Sequence, residues 1–146
     1  MQAKLRLFIV AIGILLIAAQ FVPVDRTNPP VRSALMAPPA VMIVLKESCF
    51  DCHSHHTTWP WYSRLAPFSW MLARHVEQGR KDLNFSDWPL FDFQTQAIIM
   101  KEIEDAVTEN KMPLQSYVWG HPEAKLDADE RAVILEWVQS GSTGFR

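Results

Sequence analysis

Five consecutive residues carry the chemistry of this chain: Cys49-Phe50-Asp51-Cys52-His53, a C-x-x-C-H. That spacing suits one reaction above others. Two thiols add across the vinyl groups of a haem, and the adjacent imidazole ligates the iron from one face. These are the only two cysteines in 146 residues, so no thiol is left over for a disulfide framework. Three other uses of the pair are weaker. A thioredoxin-like dithiol wants a βαβ setting, and the sequence shows no convincing strand. A zinc site could recruit His55 or His56, but zinc modules usually separate their ligand pairs by roughly a dozen residues. A disulfide here would close a loop of two intervening residues and stabilise little.

The elements around the motif must hold these side chains together. Cys52 and His53 stand at i+3 and i+4 from Cys49, so one helical turn presents all three to one side. Upstream, Pro38 and Pro39 suit a helix start. Ala40 to Ser48, with Val41, Met42, Ile43, Val44 and Leu45, is apolar enough to predict burial on most sides. After His53, the Trp-, Thr- and Pro-rich run to Ala66 reads as an ordered loop over the haem edge. Trp59, Trp61 and Tyr62 are large aromatics that favour burial. His55 and His56 read as solvent-side residues, too close to His53 to reach the opposite haem face.

Pro67 to Gln78 predicts a second helix with Phe68, Met71, Leu72 and His75 on one face and Gly79 as its stop. Residues 83–88 read as a turn-rich connector. From Asp92 to Glu109 a third helix carries Phe93, Ala97, Met100, Ile103 and Val107 on one stripe, with Glu102, Glu104, Asp105 and Glu109 off it. Asn110 suits a left-handed C-cap. A final helix opens with a capping box at Asp127-Ala128-Asp129-Glu130, buries Val133, Ile134, Trp137 and Val138, and ends at Gly141.

A haem held by His53 needs a second axial ligand, and Met112 is the expected one. It lies in a loop directly after the third helix, and Pro113 stiffens the backbone beside the sulfur. Thioether opposite imidazole raises the reduction potential, as in electron-carrying cytochromes. The plainer use of Met112 is as a core gap-filler. His121 and then His75 are the alternative ligands.

The N-terminus sets the compartment. Lys4 and Arg6 precede an uncharged run from Leu7 to Val22, sixteen residues long. That length lies between a signal-peptide core and a short membrane helix. Ile17-Ala18-Ala19 is a poor cleavage site, so a retained anchor is expected, with the positive flank inside and the rest of the chain in the bacterial periplasm or at the outer face. Three segments follow: 1–22 a signal or membrane anchor, 23–39 a proline-rich linker, and 40–146 a haem-binding domain. The linker reads as a semi-rigid polyproline spacer or a surface strap. The formal charge is −2 overall. Without Lys4 and Arg6, twelve basic residues face sixteen acidic ones, a balance of −4. No basic stripe predicts nucleic acid as a partner, and the acidic balance mildly favours a partner with a basic face.

The chain resembles the exported bacterial haem-binding domain proteins, which are c-type cytochrome-like. The likeness rests on Cys49-Phe50-Asp51-Cys52-His53, Trp59-Pro60-Trp61-Tyr62-Ser63, Ala66-Pro67 with Ser69-Trp70, and Gly79-Arg80. It continues through Leu83-Asn84-Phe85-Ser86-Asp87-Trp88, Met112-Pro113, Tyr117, His121-Pro122, and Glu130-Arg131 with Trp137. The resemblance implies covalent haem binding through Cys49, Cys52 and His53. More broadly the chain is similar to single-haem cytochromes c, where a first helix runs into C-x-x-C-H and a C-terminal helix crosses it. In that layout Trp137 packs against Val41, Val44 or Leu45. The expected fold is therefore all-α: a small cytochrome c-like helical domain around one covalently attached haem c, preceded by a membrane segment. The expected function is electron carriage between an unidentified redox partner and others near the membrane. A haem-based gas or redox sensor and a peroxidase-like haem protein are the competing readings.

Overall fold

A computed structural model describes residues 1–33 and 35–141. Among them are seven α-helices, three short 3₁₀ turns and no strand, so the chain is all-helical as its sequence predicts. Helix α1 (Gln2–Ala19) is apolar on every side and buries none of its residues. Its mean hydropathy of 2.0 and its length qualify it to cross a membrane.

The domain starts at α2 (Pro39–Ser48), where Pro39 occupies the first turn and Val41, Val44, Leu45 and Ser48 are buried. Burial is one-sided rather than all round, because Ile43 stays 65% exposed. Helix α3 (Phe50–His53) follows after a break at Cys49. Its turn closes as the amides of Cys52 and His53 both donate to the Cys49 carbonyl, at 3.2 and 2.9 Å.

Helix α4 spans Phe68–Asp82 and runs straight through Gly79. The sequence reading that Gly79 stops this helix is therefore wrong, and the reason is steric. A Cβ at Gly79 would stand 2.7 Å from the Cys52 carbonyl oxygen, so glycine permits α3 to lie against α4. The buried stripe of α4 is also rotated from the expected one. Ser69, Leu72, Val76 and Gly79 face inward, leaving Phe68 and Met71 outside.

Helix α5 (Phe93–Thr108) is capped by Asp92, whose carboxylate accepts from the Thr95 amide at 3.0 Å. Ile99, Met100 and Val107 are buried, whereas Phe93 lies outside the core. At its C-terminus Asn110 adopts φ 56°, the left-handed conformation expected of it. The Lys111 amide then donates to the Ala106 carbonyl at 2.9 Å and that of Asn110 to Val107 at 3.3 Å, a Schellman closure. After the short α6 (Gln115–Val118), α7 (Ala128–Gly141) begins on the predicted capping box. The Glu130 amide donates to Asp127 at 2.8 Å, and the Asp127 amide to Glu130 at 2.9 Å.

Helices α2, α5 and α7 pack around one apolar core. Val41, Val44, Leu45, Phe50, Phe85, Trp88, Ile99, Met100, Ile134, Trp137 and Val138 belong to it. Trp137 belongs to the same core as the buried α2 side chains, with its ring 6.4 Å from Trp88.

The proline-rich segment is a strap rather than a spacer, since side chains tie it to the domain along its length. Arg26 donates to the Ser63 carbonyl at 3.1 Å and Asn28 to the Thr57 carbonyl at 2.9 Å. Arg80 on α4 gathers both layers. Its Nε donates to the Ser54 carbonyl at 2.8 Å and Nη1 to Thr27 at 3.0 Å, while Nη2 reaches Asn28 and Thr57 at 2.8 and 2.9 Å.

Candidate functional site

Two adjoining cavities of about 180 and 200 Å³ flank the C-x-x-C-H turn. Ser48, Cys49, His53, Asp82, Met112 and Pro113 line both, so they form one cleft. The lobe of about 180 Å³ is walled by apolar side chains from α2, α5 and α7, among them Leu45, Ile99, Ile103, Val107 and Ile134. Cys52 and His75 face the other lobe, of about 200 Å³.

Each chemical group on this wall has a definite state. Cys49 and Cys52 are not bridged to one another. Burial pushes the Cys49 thiol up to about 12, with the neighbouring Cys52 adding to the shift. Cys52 is pushed up to about 11 by burial and then by Asp51, against an opposing pull from Arg80. Both are thus protonated at neutral pH. Burial also holds the His53 imidazole below its usual value, outweighing hydrogen bonds that favour the charged ring, so it is neutral. Its Nδ1 lies 3.1 Å from the Leu83 carbonyl, which can only accept. The proton therefore sits on Nδ1, and Nε2 keeps its lone pair, the form in which imidazole ligates a metal. The His53 carbonyl meanwhile accepts from the Phe85 amide at 2.8 Å. Residues 83–85 thus fix both the backbone and the ring of His53.

Met112 reaches the cleft through the Schellman closure of α5, and its own amide donates to the Ala106 carbonyl at 3.2 Å. His75 is half-buried on the lobe that Cys52 also lines. His121 lies outside this wall and is already engaged. Tyr62 donates to its Nε2 at 2.8 Å, its Nδ1 donates to Glu123 at 3.1 Å, and its ring stacks 4.4 Å from Tyr117.

The tryptophan-rich loop does not cover the cleft. Trp61 is 75% exposed, contrary to the burial its size predicts, and neither Trp59 nor Tyr62 lines either lobe. His55 is not solvent-side. It donates from Nδ1 to the Pro30 carbonyl at 3.0 Å and accepts at Nε2 from Asn84 at 2.8 Å. Among the described residues no three His, Cys, Asp or Glu side chains are grouped to hold a bare metal ion, which leaves the zinc alternative without a ligand set.

Several structural roles escaped sequence reasoning. Asp51, inside the motif, accepts from Tyr117 at 2.8 Å and from the Thr58 amide at 2.7 Å. It ties the motif to the following loop and to α6. Gly79, Arg80, Leu83 and Tyr117 all stand in the stretches that carry the family resemblance, yet periodicity assigns them no such task.

The cleft fits a haem on its own chemistry. It joins an apolar wall, two unbridged thiols and an imidazole with a free Nε2. Ser48 Oγ, on the same wall, is buried with no hydrogen-bond partner among the described residues. Buried hydroxyls are normally paired, so this one faces room for a further group. Cys49, Cys52 and His53 are the residues that would hold it.

A family model described as a haem-binding domain matches residues 14–140. No curated protein and no solved structure matches the chain. Since the match spans most of the sequence, and the cleft it encloses suits the group, this protein belongs to the haem-binding domain family.

Proposed function

We propose that this haem protein is an exported, membrane-tethered c-type cytochrome with one haem per chain, carrying electrons between redox partners. The observation that carries the reading is the His53 ring. Its Nδ1–H is committed to the Leu83 carbonyl, and its Nε2 is left free in an apolar cleft that Cys49, Cys52 and Met112 also line. Haem supplies one-electron iron chemistry when bound. Cys49 and Cys52 would hold it by thioether bonds, and His53 and Met112 would ligate its iron. The apolar wall excludes water from the buried face.

The tether is α1, with the positive flank of Lys4 and Arg6 on the cytoplasmic side and the haem domain in the periplasm or at the outer face. The acidic balance of the remaining chain favours a redox partner with a basic docking surface.

Absorption spectra of the oxidised and reduced protein, with and without carbon monoxide, test the reading. The wild-type ferric protein is expected to show the weak long-wavelength sulfur-to-iron band, and the ferrous protein to bind carbon monoxide slowly. Met112→Ala should abolish the band, lower the potential and bind carbon monoxide readily. Immediate uptake by wild type, without the band, overturns electron carriage. A gas sensor or peroxidase-like protein would then take its place, and His75 on the cleft wall would be the next residue to replace.

A further inference from the structure

On the reading that α1 crosses the membrane, we propose that the turn bearing Trp61, Leu65 and Phe68 is a second membrane contact, seated in the headgroup region of the same bilayer. The turn is compact, closed by the Ser63 amide on Pro60, that of Leu65 on Tyr62 and that of Ser69 on Leu65. Yet it presents its large apolar side chains to the outside: Trp61 is 75%, Leu65 45% and Phe68 55% exposed. A cluster of that kind on a folded surface marks a contact site.

What covers it is indicated by its connection to α1. Gln20 caps that helix, and its side chain grips the turn by both backbone polar groups of one residue, Ala66. Its Oε1 accepts from the Ala66 amide at 3.0 Å, and its Nε2 donates to the Ala66 carbonyl at 3.3 Å. The turn therefore lies at the depth of Gln20. That depth follows from length. The thirteen uncharged residues from Leu7 to Ala19 cover about 20 Å as helix, against a hydrocarbon core of about 30 Å. At one end Lys4 and Arg6 extend toward the headgroups. At the other the shortfall draws Gln20, and Ala66 with it, to the bilayer surface. Indole rings favour that layer. Arg64 is exposed within the turn, and Arg26 donates to Ser63 beside it, so positive charge meets anionic headgroups there. The contact fixes which side of the domain faces the bilayer, and with it the direction in which the cleft opens.

The test uses the full haem-loaded chain in vesicles of phosphatidylcholine and phosphatidylglycerol, with no other protein present. Nitroxide labels are placed on Ile9→Cys, Trp61→Cys, Phe68→Cys and Ile43→Cys, one at a time; the native cysteines are closed by the thioethers. Haem absorbance confirms that each variant is folded. Labels at positions 9, 61 and 68 should be more accessible to oxygen than to a water-soluble nickel chelate. The label at 43, on the exposed side of α2, should show the reverse. If position 9 reports lipid but 61 and 68 behave like 43, the second contact is overturned while the anchor stands. An aqueous signal at position 9 overturns the anchor reading and the proposal with it.

Discussion

The two sides of the C-x-x-C-H turn are held by different physics. On the cleft side, Cys49 and His53 face largely apolar walls from α2, α5 and α7, with Ser48, Asp82 and Glu102 as the polar residues among them and the His53–Leu83 bond as the polar tie. On the strap side, the residues after His53 are braced by side chains bonded to backbone: Arg80 to Ser54 and Thr27, Asn28 to Thr57, Asp51 to Thr58. Directional bonds make the strap side a rigid backing, while the non-directional apolar side leaves room for a flat, largely apolar group. A chain that presents Cys52 and His53 from a four-residue helix, with Cys49 at its N-cap, cannot rely on that helix alone, because one turn is marginal by itself. The backing supplies the rigidity, and the cleft supplies the site.

Removing the thiols is the most drastic way to break the cleft side. Cys49→Ala combined with Cys52→Ala should abolish haem that survives denaturing electrophoresis, read by haem staining, after expression in cells able to mature c-type cytochromes. Haem that extracts into acidic organic solvent from the wild-type protein would remove the covalent reading altogether.

Gly79→Ala attacks the contact between the two sides. In an open helix interior this change gains about 1 kcal/mol. Here the new Cβ meets a backbone oxygen at 2.7 Å, which cannot rotate away. Overpacking against backbone should win, and the expected outcome is a loss of about 3 kcal/mol. A lowered urea midpoint checks it. A gain in stability would show that α3 and α4 are free to separate.

Arg80→Lys tests the strap side. A single ammonium on a flexible stem cannot serve four acceptors spread over Ser54, Thr27, Asn28 and Thr57. Leaving part-buried carbonyls unpaired should cost about 2 kcal/mol. Faster hydrogen exchange confined to the strap and to residues 54–58 would locate the loss there. Exchange that rises uniformly would mean that the strap is not a separate brace.

This division also explains what the sequence made legible. Patterns that act through nearest neighbours were readable: the capping box at Asp127 and Glu130, the left-handed Asn110, and the turn that groups Cys49, Cys52 and His53. So was the burial of Ile134, Trp137 and Val138 on the last helix, because apolar periodicity marks a core face. Interactions between distant segments were not. Gly79 read as a helix stop because composition alone does not show that Cys52 lies against it. Phe68 and Met71 read as core because hydrophobicity implies burial only when no other surface awaits them. His55 read as exposed because its partners, Pro30 and Asn84, lie 25 and 29 residues away.

The smallest expected effect joins the cleft to a local signal. Asn110 holds φ 56°, and the Schellman closure built on it leads the chain into Met112. Alanine is strained in that conformation, glycine is not. Asn110→Ala should therefore cost about 1 kcal/mol, and Asn110→Gly close to nothing. If the closure also positions Met112, the alanine variant should take up carbon monoxide a few-fold faster than wild type when reduced, with the glycine variant unchanged. Stopped-flow mixing of the three ferrous proteins measures this directly. Equal rates in all three, alongside the expected stability loss in the alanine variant, would show that the turn supports α5 without positioning the sulfur. Pro113, on the wall of both lobes beside Met112, would then be the residue that orients it.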